Sequence, residues 1–230
     1  MSDIAKNLEE VRARLSAAAR RAGRDPGAVR LVAVSKTVPV ELLRQALTAG
    51  QKIFGENYLQ EAQRKVAALG PGVSWHFVGH LQTNKAKGAV ALFELIHSVD
   101  RLRLAQALNE AAAKIGKVQD ILLQVNLAGE ESKSGAAPAA VPGLIEQIRL
   151  LPHLRLQGLM TMPPFFDDPE AARPFFQALR ELRDRLEQNG LGPLPELSMG
   201  MTGDFEVAVA EGATLVRIGT AIFGPRPGKD

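Results

Sequence analysis

The sequence predicts a parallel (β/α)8 barrel of the TIM type, an α/β fold, preceded by an additional N-terminal helix. Three observations lead there: eight short apolar runs, amphipathic stretches long enough to cross back between them, and a length of 230 residues, within the range in which one such barrel closes. The competing open, doubly wound sheet lacks its marks. No G-x-G-x-x-G follows any apolar run, and no G-x-x-x-x-G-K-[ST] occurs.

Along the chain, Ile4, Leu8, Val11, Leu15 and Ala18 recur at spacings of four and three, which places them on one stripe of a helix with arginines and glutamates opposite. Gly23 and Pro26 end it. Strands are then expected at 31–34, 52–54, 75–78, 95–99, 121–125, 156–160, 197–199 and 215–218. The intervening stretches include 101–115 and 170–188, the latter with Ala171, Phe175, Leu179, Leu182 and Leu186 on one side. The irregular segment 127–140, with Glu130, Glu131, Lys133 and Gly135, reads as a loop of the active face or a mobile excursion. The tail 224–229 resembles a phosphate loop only superficially, because its spacing is one residue short and Pro225 and Pro227 suit an extended terminus. No linker divides the chain, so residues 1–230 are expected to form one domain, with no room for a second after the last strand.

Composition narrows the function classes. Residues are 46% hydrophobic and 23% charged, as in an ordinary globular protein. The net charge is only +3, and the one arginine cluster, from Arg12 to Arg24, has no interleaved aromatic to stack on bases, so no nucleic-acid partner is expected. Cysteine is absent, which excludes disulfides, thiolate nucleophiles and Cys-ligated metals. The first ten residues contain no apolar core of a secretory signal, and no apolar run approaches the length of a membrane span. A cytoplasmic protein without membrane contact is therefore expected.

In such barrels chemistry sits at the carboxyl ends of the strands. Lys36 closes the first apolar run, and Val32, Val34 and Lys36 share one side by two-residue alternation, so valines that fill the barrel would send the amine into its mouth. An amine among apolar walls has a lowered pKa and can form an imine with an aldehyde. On position alone a surface lysine is the plainer reading. Two glycine and threonine loops change the balance: S-M-G-M-T-G-D at 198–204 and R-I-G-T-A-I-F-G at 217–224. Their backbone amides, the Thr202 and Thr220 hydroxyls and the start of a short following helix suit an anion, where barrels commonly hold a phosphate. Gly200, Gly203 and Gly219 taken singly fit ordinary turns. A lysine aldehyde trap beside a phosphate cup suggests a phosphorylated aldehyde, of which pyridoxal 5′-phosphate (PLP) is the common one. Arg217 would point inward from the last strand, towards a pyridine nitrogen or into a salt bridge of the barrel mouth. His76 and His80 lack the shared helix face of a zinc pair, so no metal is expected. No G-x-S-x-G elbow occurs, and His97 and His153 read as structural.

Taken together, V-A-V-S-K (32–36), F-G-E-N-Y (54–58), H-F-V-G-H-L-Q-T-N-K (76–85), G-E-E-S-K-S-G (129–135), G-L-M-T-M (158–162) and the two loops resemble the PLP homeostasis proteins, single-domain relatives of the alanine racemase barrel. The similarity runs in order through nearly the whole chain. It implies PLP held as a Schiff base on Lys36, with Thr202, Gly219 and Thr220 around the phosphate and Arg217 near the ring nitrogen or the phosphate. Asn57, His80 and Met199 match motif positions lining the same mouth. The family usually has serine where this chain has Thr202, which keeps the hydroxyl and adds a methyl. The resemblance implies a cofactor carrier, monomeric or weakly dimeric, serving PLP-dependent apo-enzymes without turnover. A PLP-dependent racemase or lyase and a Schiff-base aldolase on a sugar phosphate are the alternatives. Alanine racemases place a catalytic tyrosine from a second domain opposite the lysine, whereas Tyr58 is the only tyrosine here.

Overall fold

Eight parallel strands pair in chain order and close on themselves: β1 (Arg30–Val34), β2 (Ile53–Glu56), β3 (Ser74–Phe77), β4 (Leu95–Val99), β5 (Gln119–Gln124), β6 (Leu154–Met160), β7 (Glu196–Ser198) and β8 (Leu215–Ile218). Closure runs through the pairing of β1 with β8, in which Val32 stands opposite Arg217. The structure, a computed structural model, describes residues 3–130 and 134–225. Glu131 and Lys133 of the excursion, and the tail from 226 to 230, lie outside them.

The N-terminal helix α1 (Ile4–Arg21) is capped by the Asp3 carboxylate, which accepts from Lys6 N at 3.1 Å. It buries Ile4, Leu8, Val11, Leu15 and Ala18, the stripe its spacing predicts. The crossovers are α2 (Val40–Thr48), α3 (Leu59–Leu69), α4 (Ala86–Leu92), α5 (Leu102–Ala113), α6 (Val141–Arg149) and α7 (Arg173–Gln188); α8 (Phe205–Ala210) follows β7 and α9 (Thr220–Phe223) follows β8. Asn7 of α1 donates to Ile222 O at 2.8 Å, tying the additional helix to the last one.

Most element bounds differ from the sequence expectation by one or two residues, and two of the differences have a visible cause. In α7 the buried positions are Phe176, Leu179, Leu182 and Leu186, preceded by Ala172, while Ala171 is exposed and Phe175 half-buried. A short 3-10 turn over Pro169–Ala172 precedes the helix, and only the first two expected positions move by one residue, to Ala172 and Phe176, while Leu179, Leu182 and Leu186 face the core as expected. Strand β6 begins at Leu154, two residues early, because Leu154 and Arg155 extend the pairing with Gln119 and Asp120, and the Arg155 and Asp120 side chains bridge at 2.5 Å. Gly158 in the same strand has φ 155°, and a Cβ there would stand 1.9 Å from Glu196 O, so the approach of β7 requires glycine.

The apolar core is double. An outer layer fills the space between sheet and helices, and a smaller inner cluster of Val32, Leu95, Leu122, Met160 and Leu215 fills the barrel, each such buried side chain contributing roughly 1.5 to 3 kcal/mol. The barrel interior also holds a buried polar row, His76, His97, Ser198 and Arg217. The alternation that sends Val32 inward sends Val34 and Lys36 to the carboxyl-end mouth.

Candidate functional site at the barrel mouth

A cavity of about 410 Å3 opens at the carboxyl ends of β1, β7 and β8. Lys36, Asn57, Thr202, Arg217, Gly219 and Thr220 all line it, so six of the eight residues singled out in the sequence meet around one space. Met199 does not. Alternation from the inward Ser198 turns it to the outer face, where it is fully buried in the core, and Met201 lines the mouth instead. Nor does His80 line this cavity. It faces an adjoining space of about 430 Å3, where its Nδ1 lies 2.9 Å from Ser134 Oγ. The two cavities share Val78, Met162, Phe165 and Met201 as a common wall.

Lys36 occupies the second position of a turn from Ser35 to Val38, closed by Val38 N donating to Ser35 O at 3.0 Å. Thr37, the third position, has φ +63°, and no other described non-glycine residue has a positive φ. Such a conformation costs a β-branched residue roughly 1 to 2 kcal/mol and persists only where surrounding contacts enforce it. The enforcing contacts are ionic. Lys65 Nζ donates to Ser35 O at 2.5 Å, Glu56 Oε1 at 2.7 Å and Glu61 Oε1 at 2.7 Å, and Thr37 N donates to the same Glu61 oxygen at 2.6 Å. Ser35 Oγ donates to Glu56 Oε1 at 2.6 Å, while Glu56 Oε2 is buried without a hydrogen-bond partner. Burial pushes the Glu56 carboxyl above its ordinary range, against the opposing pull of Lys65 and Ser35.

The opposite wall is built from turns. Asp204 Oδ1 accepts from Met201 N at 2.6 Å, and Phe205 N returns to Met201 O, which closes a loop that carries Thr202 and Gly203 along the cavity. Gly200 has φ +90°, and a Cβ there would lie 2.6 Å from Ala208 Cβ, so glycine lets α8 press against the end of β7. On the β8 side, Gly219 caps α9: its carbonyl accepts from Ile222 N and Phe223 N, both at 2.9 Å, and only the Thr220 and Ala221 amides of that turn have no intrahelical acceptor.

Between these walls lies Arg217, buried within the barrel. Its Nη1 donates to Ser198 Oγ at 2.6 Å and its Nη2 to Thr161 O at 2.9 Å, both neutral acceptors. Burial pushes the guanidinium down to about 10, partly opposed by Asp204, so it is charged at neutral pH. Below it, His97 Nδ1 lies 2.8 Å from Ser198 Oγ, and His97 Nε2 lies 3.0 Å from His76 Nδ1. Arg217 can only donate. The arrangement that leaves no buried hydroxyl proton unpaired therefore runs from Arg217 to Ser198 to His97 to His76, with both rings neutral. Burial, with Arg30 nearby, pushes His76 down to about 3; His97 is likewise held well below its ordinary value, by burial, His76, Arg217 and Arg30.

A phosphorylated aldehyde fits these residues. The cavity has the size of a small-ligand pocket, an amine at one wall, hydroxyls and turn amides at another, and a buried cation that meets only neutral partners and retains N–H donors beyond them. Sequence reasoning missed the Glu56, Glu61 and Lys65 cluster and the histidine row. Glu61 and Lys65 are an i,i+4 pair, a visible signal, but one that ordinarily marks an exposed helix face.

Residues 6–227 match the family described as alanine racemase, N-terminal domain. The pyridoxal phosphate homeostasis protein of Pseudomonas aeruginosa is 49% identical over 227 residues, covering 98% of this chain and 97% of its own. That of Aquifex aeolicus is 47% identical over 222 residues, covering 96% and 97%. Among solved structures, PipY of Synechococcus elongatus with PLP bound superposes with a TM-score of 0.86 at 38% identity, covering 96% of this chain and 100% of that one. Alanine racemase of Clostridium difficile, at 15% identity and a TM-score of 0.76 over 58% of its length, shares the fold. By these matches the chain belongs to the alanine racemase N-terminal domain family and, within it, to the pyridoxal phosphate homeostasis proteins.

Proposed function

We propose that this chain binds PLP as a Schiff base on Lys36 and serves its homeostasis, buffering the cofactor or delivering it to PLP-dependent apo-enzymes. The observation that carries this reading is that the Lys36 side chain and the Thr202, Gly203, Gly219 and Thr220 loops line one cavity. The PLP-bound PipY structure and the names of the homeostasis-protein relatives support it.

When bound, PLP supplies an electrophilic aldehyde and an electron-accepting ring. Lys36 provides the amine. Thr202 and Thr220 offer hydroxyls to the phosphate, and Arg217 directs its remaining donors into the cavity towards the ring nitrogen or the phosphate. Asn57 borders the same space. His80 and Met199, placed elsewhere, have no direct part in this reading. Residues 1–230 act as one PLP-binding domain, monomeric or weakly dimeric, in the cytoplasm where its apo-enzyme clients would be met. Among the described residues no helix is long and apolar enough to cross a membrane, and no group of His, Cys, Asp or Glu could hold a metal ion.

The test is an absorbance spectrum of the protein incubated with PLP, followed by borohydride reduction and peptide mapping. The expected result is a visible Schiff-base band and a reduced adduct on Lys36, both lost in Lys36→Ala. An adduct on a different lysine would sink the assignment. Absence of the band together with capture of a sugar-phosphate carbonyl would favour the aldolase alternative.

A further inference from the structure

We propose that Glu61, together with Lys65 and Glu56, is a positioning residue for Lys36: the buried ion cluster holds the strained Ser35 to Val38 turn from both sides and so aims the lysine amine into the cavity. The inference rests on the reading that Lys36 carries the cofactor.

The cluster grips the residues on either side of Lys36. Ser35, before it, gives its carbonyl to Lys65 and its hydroxyl to Glu56, and Thr37, after it, gives its amide to Glu61. All three Lys65 N–H donors are used, on Ser35 O, Glu56 Oε1 and Glu61 Oε1. The Lys65 and Glu56 side chains are 4% and 0% exposed, so that pair is held in place by packing and is poorly screened, while Glu61, 18% exposed, closes the cluster on its solvent side. A closing turn with positive φ at its third position ordinarily calls for glycine, and here it carries threonine. A less demanding residue would serve a turn needed only for chain reversal. A β-branched residue locked by a charged clamp restricts the backbone about Lys36 more than glycine would.

Capture joins Lys36 Nζ to the aldehyde carbon and expels one water, with no other reactant. Its rate depends on where the amine is held, and a displacement of about 1 Å lowers such rates by about a hundredfold. The anion cup lies on other elements, β7 to α9, and does not share this dependence.

Two probes separate the effects. PLP reports capture, and pyridoxamine 5′-phosphate keeps the ring and phosphate but cannot form the bond. In Glu61→Ala, borohydride-trapped labelling of Lys36 by PLP should slow roughly ten- to a hundredfold, while affinity for pyridoxamine 5′-phosphate stays within about twofold, the latter resting on contacts the clamp does not make. Glu61→Gln, which keeps an acceptor for Thr37 N and Lys65, should restore labelling. Should Glu61→Ala fail to fold, Glu61→Asp, charged but one methylene shorter, should show the same selective loss. Equal losses for both probes, or unchanged labelling, overturn the clamp while leaving the Lys36 assignment intact. Wild-type protein that labels a different lysine overturns both.

Discussion

Ser198 Oγ accepts a 2.6 Å hydrogen bond from Arg217 Nη1, which couples the only cation buried inside the barrel mouth among the described residues to the histidine row below it. Ser198→Ala removes an acceptor from Arg217 and a donor from His97 without adding volume. Leaving a buried charged donor and a buried ring nitrogen short of partners should lower the stability of the cofactor-free protein by roughly 1 to 3 kcal/mol. Urea denaturation measures this. A change below about 0.5 kcal/mol, the usual spread of neutral surface substitutions, would show that the row carries no strain when opened.

The same row predicts an acid limb of the stability curve. His76 is held at about 3 against an ordinary 6.5, and His97 is also depressed. In the unfolded chain both rings take protons near pH 6.5, so the unfolded state binds more protons from there down to the folded values, and folding stability falls as pH is lowered through that window. The slope should reach about 1.4 kcal/mol per pH unit for each ring. Glu56, raised in the folded state, acts in the opposite sense, its contribution being lost as pH rises through its raised value. Comparing wild type with His76→Gln between pH 7 and 5 isolates the histidine share. An unchanged slope in the variant would contradict neutral burial of His76.

The strands were legible because the apolar runs are short and alternate with amphipathic stretches, and because Val32, Val34 and Lys36 follow one period-two face whatever the neighbouring strands do. The histidine row was not legible, since His76, His97 and Ser198 meet only once β3, β4 and β7 curve into a closed barrel. Met199 was misplaced for a related reason: a motif shows that a residue is near a mouth, but only the strand's alternation decides between the inward Ser198 and the outward Met199. Lys65 reads as a solvated helical lysine, and its burial depends on the Glu56 carboxylate of β2 and on the Ser35 carbonyl just beyond β1.

Thr202 tests the phosphate cup. Thr202→Val deletes one hydroxyl at nearly constant shape, which should weaken PLP binding by roughly 1 to 3 kcal/mol if the anion loses a donor. Pyridoxal, which lacks the phosphate, should bind almost as before. Equal losses for PLP and pyridoxal would mean that Thr202 supports only the loop.

Gly200 tests how that loop is held. A methyl there would meet Ala208 Cβ at 2.6 Å and Phe205 Cα at 3.0 Å in a backbone of φ +90°. Gly200→Ala should cost roughly 1 to 3 kcal/mol from the backbone conformation alone, with a loss of PLP affinity as α8 moves away. Thermal melts with and without PLP measure both. Full stability would show that the approach of α8 is adjustable.

The proposed carrier role predicts that PLP is held without rapid chemistry on amino acids. Racemisation needs one base to remove the α-proton and an acid on the opposite face to return it, each within hydrogen-bond reach of the carbon. Among the described residues lining the cavity, Lys36 and Arg217 are the only ionisable groups, and Arg217 is a permanent donor at neutral pH that cannot act as a base. Tyr58 is 58% exposed and does not line the cavity. An arginine facing the ring nitrogen would also keep that nitrogen unprotonated, weakening the ring as an electron sink. In the proposed role Lys36 would therefore serve one face alone. Incubating the PLP-loaded protein with L-alanine in heavy water should give α-deuteration and D-alanine far more slowly than the rate on the order of 1 per second or faster seen in ordinary enzymes. Turnover at that rate would require an acid from outside the described cavity and would promote the racemase alternative over the carrier.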